Sequence, residues 1–195
     1  MTMTRTRGWR GIIAPKLVLG TWLAGMLGVL PAWAQPPRPV PDVMVLDQDG
    51  RPQRFYSDLV RGKIVAINFV YTTCTSTCSA SGQRFAQLQT LLGDRLGRDV
   101  FLITVTTDPD RDTPAMVKTW GAQFGARPGW TLVTGTRANI EQILRALSGG
   151  GIFNAASRAK RHTTFVVLLN DARSRWRDTF ALTPANRLYQ RLTVW

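Results

Sequence analysis

From Val43 onward the chain alternates between short apolar runs and amphipathic stretches. Residues 43–56, VMVLDQDGRPQRFY, pair an apolar run with Phe55 and Tyr56 across an Asp49-Gly50 turn, the pattern of a β-hairpin. KIVAINFV, residues 63–70, is β-branched and apolar throughout and reads as a buried strand. Residues 79–92 then place Phe85, Leu88, Leu91 and Leu92 at helical spacing and stop at Gly93. DVFLITVT, 99–106, is a second buried strand. Thr113-Pro114 opens a helix, with the threonine as cap and the proline at the first helical position, which runs to about Gly125. A short strand over 130–133 and a helix over 137–147, RANIEQILRAL, follow. Gly149, Gly150 and Gly151 break that helix, and a loop leads to Arg161. TTFVVLL, 163–169, is a strong strand. Ser174 to Ala181 is a weaker one after a turn at Asp171, and Thr183-Pro184 is expected to cap a last short helix ending near Leu192.

Strands alternating with helices imply an α/β domain whose sheet is at least partly parallel. A β-α-β half followed by a closing β-β-α half is the arrangement of thioredoxin-like folds. The expected architecture is therefore a mixed central sheet flanked by helices, preceded by the hairpin and occupying residues 42–195. No internal repeat or low-complexity segment interrupts it.

The first 34 residues have a different pattern. Arg5, Arg7, Arg10 and Lys16 precede an uncharged apolar run, Leu17 to Leu30, and then Ala32-Trp33-Ala34. A basic start, a short apolar run and an A-x-A site form the pattern of a cleavable signal, so 1–34 is expected to direct export to the periplasm. The run is short for a bilayer span of about 20 residues. Left uncleaved, it would tether the domain to the inner membrane. No cysteine follows the run, which argues against a lipid-modified N-terminus. QPPRPVP, 35–41, reads as an extended, proline-rich leader.

Charge adds one question. The formal net charge is +13, and such a balance suits nucleic acid, an anionic membrane surface or simply a solvated face. The basic residues are scattered, with RAKRH (158–162) as the one local cluster, and no aromatic-interleaved basic motif is present. Together with export this excludes nucleic acid as a partner and leaves membrane-surface association open.

The chemistry is concentrated in VYTTCTSTCS, residues 70–79, which holds both cysteines of the chain, Cys74 and Cys78. They lie between the first core strand and its helix, where thioredoxin-like folds carry their cysteine motif. If Cys78 is in the first helical turn, residues i and i+4 project to the same side, near a helix N-terminus whose partial positive charge favours thiolate. Three readings follow. A structural disulfide would close a very small loop and contribute only about 2 kcal/mol. Thiol-disulfide exchange suits the location, but the spacing of three is unusual. His162-Thr163-Thr164 also stands where redox thioredoxins usually place a cis-proline. A metal site would use two soft thiolates and a third ligand, and the single histidine, His162, precedes the TTFVVLL strand expected to neighbour the cysteine-bearing one. Two sulfurs and an imidazole suit three-coordinate Cu(I), and a weak fourth ligand would permit Cu(II). Zinc in a structural site wants four firm ligands, which the chain does not offer. Asp108, Asp110 and Asp112 lack the glycine and glutamate of a calcium loop. They read as a loop leading into a helix, with Asp112 or Thr113 as cap. Trp120 and Trp130 are expected in the core.

Four segments in order carry a family resemblance: GKIVAINFVYTTCTSTC (62–78), TVTTDPDRDTP (104–114), LVTGTRANIEQI (132–143) and His162 before TTFVVLLND. The chain resembles the Sco/SenC family, thioredoxin-like copper-binding proteins of CuA assembly in cytochrome c oxidase. The resemblance implies copper ligation by Cys74, Cys78 and His162. It also implies a role as a monomeric metallochaperone rather than an enzyme, delivering copper to a cuproprotein such as an oxidase subunit. The alternative is a periplasmic thiol-disulfide reductase that uses Cys74 and Cys78 to keep a cuproprotein's cysteines reduced. Thr75, Ser76 and Ser79 depart from the family's prolines and acid in and after the motif, and Arg161 stands where an acid often precedes the histidine. An exposed site is expected, with GGGIFNAASRAKR (149–161) as the hinge that opens it.

Overall fold

The computed structural model describes residues 39–147 and 165–195. Every described residue belongs to one compact unit, within Gln35–Trp195. The expected signal, most of the leader, the glycine run, RAKRH and His162 lie outside the described residues.

The hairpin forms as β1 (Met44–Asp47) and β2 (Pro52–Arg54), paired antiparallel. The Asp47 carboxylate closes its turn, accepting the N–H groups of Asp49 and Arg51 at 2.9 Å each. The second arm is shorter than expected. Phe55 and Tyr56 leave the strand and begin a single wide helical turn, Phe55–Val60, that buries Phe55 and Val60. The Asp58 carboxylate accepts the Arg54 N–H at 2.7 Å, ending the ladder there.

The two apolar runs form the centre of the sheet: β3 (Ile64–Val70) and β4 (Val100–Thr106), parallel and in register from Ile64 opposite Val100 to Val70 opposite Thr106. β5 (Trp130–Thr134) extends the parallel set beside β4. β6 (Phe165–Asn170) and β7 (Arg175–Phe180) close the other side, antiparallel to β3 and to each other. The order across the sheet is β2-β1-β5-β4-β3-β6-β7. As expected, β6 lies against β3. Being antiparallel, it starts at the end of the sheet where β3 gives out into the cysteine loop.

Among the described residues four α-helices cover the two faces. α1 (Thr77–Leu92), α2 (Pro114–Gln123) and α4 (Ala185–Thr193) pack on one, against Ala66, Val70, Leu102, Val166 and Leu168. α3 (Arg137–Leu147) and the Phe55–Val60 turn pack on the other, against Val65, Ile67, Ile103 and Val105. The alternation of strand side chains sends Val65, Ile67 and Phe69 to the second core and Ala66, Asn68 and Val70 to the first. Trp120 and Trp130 are both buried in the first core, as the sequence implied. Thr113 does cap α2, its hydroxyl accepting the Met116 N–H, with Pro114 at the first position. Thr183 does not cap α4; it shares a 2.9 Å hydrogen bond with Thr179 of β7, and the α4 N-cap is Pro184 with no side-chain bond.

Two glycines permit close approach. A Cβ on Gly82 of α1 would lie 2.6 Å from the Phe124 ring at the end of α2. Gly129, at φ +96°, sits with its Cα side against the Gly97 backbone, where a Cβ would be 2.5 Å from the Gly97 nitrogen.

Candidate metal centre

β3 ends at Val70, and after six intervening residues, 71–76, the chain enters α1 at Thr77. Three hydrogen bonds fix this crossing. The Cys74 N–H donates to the Tyr71 carbonyl at 3.1 Å. The Thr72 N–H and hydroxyl both donate to the carboxylate of Asp112, at 3.1 and 2.6 Å. Asp112 also accepts from the Thr106 hydroxyl and is itself buried. It joins the end of β4, the loop before α2 and the cysteine loop. This is the residue that sequence reading missed. Its position suggested a helix cap, but Thr113 takes that role and Asp112 braces Thr72 instead.

Helix α1 starts at Thr77, two residues earlier than expected, so Cys78 lies in its first turn. The N-cap residue, Ser76, makes no side-chain capping bond. The Cys78 N–H instead donates to Sγ of Cys74 at 3.3 Å. A sulfur thus fills the acceptor position that an oxygen usually occupies at a helix start. The Ser79 hydroxyl donates to the Cys74 carbonyl at 3.3 Å. Both cysteines are free thiols, 4% and 6% exposed, and part of the first core. The expectation of an exposed pair is therefore corrected.

The two thiols differ in acidity. Burial alone would raise Cys74. Hydrogen bonds from the Cys78 thiol, the Cys78 and Ser76 N–H groups and Tyr71 outweigh it, so Cys74 titrates below the ordinary thiol. Burial pushes Cys78 up to about 12, helped by its hydrogen bond to Cys74 and by repulsion from Cys74 and Asp112. The helix terminus therefore favours one thiolate, not two, because Cys74 takes the N–H donors and its charge then opposes ionisation of Cys78.

A polar network lies beneath the pair. Asn68 of β3 donates to Ser81 Oγ of α1 at 3.0 Å and accepts from the Thr104 hydroxyl at 2.7 Å. Trp130 Nε1 donates to that same threonine oxygen at 2.9 Å. The signal was present in the sequence: Asn68, Thr104 and Thr106 fall on the same strand face as Ala66 and Leu102. Beside the loop, Thr72, Thr73, Met116, Thr119, Trp120 and Gln123 line a cavity of about 350 Å³.

The acidic loop is engaged within the protein. Asp112 is engaged as above, Asp110 pairs with exposed Arg137, and Asp108 lies 3.9 Å from Arg111. Among the described residues no three His, Cys, Asp or Glu side chains are grouped to hold a metal. The structure brings Cys74 and Cys78 together. His162 lies outside the described residues, three positions before β6.

This cysteine-bearing crossing on a mixed sheet, with the buried aspartate behind it, lies within residues 40–193, the span that matches the SCO1/SenC family. The chain belongs to that family. An SCO2-like protein of Rickettsia conorii is 28% identical over 102 residues, 52% of this chain and 47% of the relative. The chain spans about half the length of the curated relatives it matches. The fold is shared with a SCO1/SenC family lipoprotein from Bacillus anthracis (TM-score 0.65, 19% identity, covering 83% of this chain and 98% of that one). It is also shared with Bradyrhizobium japonicum ScoI with copper bound (TM-score 0.61, 21% identity, covering 77% and 94%). Both likenesses establish the thioredoxin-like fold of this SCO1/SenC chain.

Proposed function

We propose that this SCO1/SenC chain is a copper metallochaperone, with Cys74 and Cys78 as thiolate ligands, His162 as the third and copper as cargo. The observation that carries the reading is a pair of unbridged thiols held four residues apart by a helix start, at the end of the sheet where β6 begins. The solved ScoI relative holds copper. Two sulfurs are soft donors that suit Cu(I), and Asp112 is spent on Thr72 and Thr106, so a third ligand has to come from elsewhere. Loading requires Cys78 to give up its proton, which makes uptake proton-coupled. Because the thiols are buried, release to a recipient requires the cover over Cys74 and Cys78 to move. The recipient fitting this chemistry is a cuproprotein such as an oxidase subunit bearing CuA. The N-terminal pattern supports export to the periplasm, with the domain released or tethered. Among the described residues no helix is long and apolar enough to cross a membrane.

Anaerobic titration of the reduced protein with Cu(I) tests this reading. One equivalent is expected, with Cys74→Ser or Cys78→Ser weakening binding more than about 100-fold, beyond the loss usual for outer-shell changes. His162→Ala should weaken it as well. A reduced protein that takes up no copper sinks the proposal.

The unequal thiols favour one second reading, a thiol-disulfide reductase with Cys74 as nucleophile and Cys78 as resolving thiol. It requires His162→Ala to keep disulfide turnover while Cys74→Ser abolishes it.

A further inference from the structure

The β7–α4 edge carries a charge pattern that the cysteine site does not use. From Ala172 to Trp195 the chain has five arginines, Arg173, Arg175, Arg177, Arg187 and Arg191, and one acid, Asp178. β7 is the last strand of the sheet. Arg177 stands opposite Leu168, which faces the α1–α4 core, so Arg175 and Arg177 are on the α4 side of the strand. Asp178 stands opposite Val167, on the other side. α4 buries Ala185, Leu188 and Leu192 and leaves Arg187 and Arg191, one turn apart, exposed. Contacts join the strand and the helix into one surface. Arg191 Nη1 donates to Thr179 Oγ1 at 2.6 Å, and Arg173 Nη1 donates to the Trp195 main-chain oxygen at 3.1 Å. The Arg177 guanidinium lies 5.0 Å above the Trp195 ring. Among the described residues none of these five arginines is within ion-pair distance of a side-chain carboxylate. Of the other described arginines, Arg51, Arg54, Arg95, Arg98, Arg111, Arg137 and Arg145 are, and Arg61, Arg84 and Arg127 are not.

We propose that this face docks on an anionic lipid bilayer surface, with the arginines over the headgroups and Trp195 and Val194 at the interface. Guanidinium groups gathered on one surface without side-chain carboxylate partners suit smeared negative charge, since each adds attraction without needing a fixed carboxylate opposite it. A tryptophan carrying a stacked arginine, next to a valine that is 68% exposed, is the amphipathic combination that settles at headgroup level. Charge on an exposed edge strand also blocks strand addition. That accounts for Arg175 and Arg177 but not for Arg187 and Arg191 on a helix. The proposal is independent of copper, because it concerns a different surface.

Flotation of the full chain with phosphatidylcholine vesicles, with and without phosphatidylglycerol, tests it. The variant Arg177→Glu/Arg187→Glu is compared with Arg51→Glu/Arg54→Glu, which changes net charge equally on the hairpin. Any contribution of the N-terminal segment is common to all three proteins. Partition onto phosphatidylglycerol vesicles is expected to fall on the order of tenfold or more further in the β7–α4 variant than in the hairpin variant, with phosphatidylcholine partition alike. If the two variants partition alike, the proposal is overturned. Should the β7–α4 variant not fold, Arg177→Gln/Arg187→Gln gives the same comparison with a smaller shift. Soluble polyglutamate at matched charge separates a membrane from an acidic protein. If it binds with the same dependence on Arg177 and Arg187 and displaces the vesicles, the face serves an acidic protein and the membrane proposal falls.

Discussion

Ile67 and Asn68 are neighbours in β3, and both are fully buried, yet they face different interiors. Ile67 joins Val65, Ile103, Val105 and the apolar stripe of α3 in a core made of hydrocarbon. Asn68 faces α1 and holds Ser81 and Thr104, with Thr106 and Asp112 continuing the polar row up to the cysteine loop. The polar row occupies only the end of the sheet that carries Cys74 and Cys78; further down the same face Ala66, Leu102 and Leu168 are apolar. Burial on the α3 side holds the domain together, whereas buried hydrogen bonds on the α1 side add little net stability and fix orientation. The two sides should therefore respond differently to substitution.

The largest effect is expected on the apolar side. Ile143→Ala, at a fully buried position of α3, should cost about 3 kcal/mol in urea denaturation, the usual range for emptying such a site. The alkylation rate of Cys74 in the folded protein should not change. A changed rate would show that the two sides are coupled and would break the comparison. Asp112→Asn should cost less, about 2 kcal/mol, because one of the two oxygens that accept from Thr72 and Thr106 becomes an NH2 donor while the shape is kept. Its distinctive consequence is chemical. Removing the carboxylate charge that opposes ionisation of Cys78 should lower the pKa of that thiol, read from thiolate absorbance across an alkaline titration. An unmoved Cys78 titration would mean that Asp112 only braces the loop. Gly82→Ala should be smaller again. Pushing the Phe124 ring aside costs about 1–3 kcal/mol, and the better helix propensity of alanine returns about 1. A net loss of about 1 kcal/mol is expected, and a gain would show that the α1–α2 approach is loose.

The sequence disclosed this division only partly. β3, β4 and β6 were legible because each is a continuous β-branched run, and α3 because Ile140, Ile143, Leu144 and Leu147 repeat at helical spacing. The turn at Phe55–Val60 was not legible, because Phe55 and Tyr56 look like strand residues, and the turn is held by carboxylates, Asp58 on the Arg54 N–H and Asp42 on Ser57. Likewise Thr183-Pro184 has the composition of a helix cap, but Thr183 bonds to Thr179 across the β7–α4 corner. At the site, the strand-to-helix placement of Cys74 and Cys78 could be read from element order alone. Their unequal acidity could not. It depends on Cys74 displacing Ser76 as the acceptor at the helix start, and on Asp112, which reaches Thr72 across 40 positions of sequence. Local pattern carries no information about such a contact.

The last comparison separates the two cysteines themselves. Cys78 has its folded pKa pushed up to about 12 from an ordinary 9.0. Between those values the unfolded chain releases the proton and the folded one keeps it. Stability should then fall as pH rises through that window. Below about pH 9 the contribution of Cys78 is fully present. Cys74 is shifted the other way, so the folded state favours its thiolate, and that contribution is lost as pH falls through its lowered folded pKa. Urea denaturation across an alkaline series should show the decline in the reduced protein and lose most of it in Cys78→Ser. Near neutral pH, iodoacetamide on the folded protein should give a single adduct, at Cys74, despite the near-equal burial of the two residues. Equal labelling of Cys74 and Cys78 would mean that the Cys78 N–H does not single out one sulfur. The α1 side of the sheet would then fix the positions of the thiols without setting their chemistry apart.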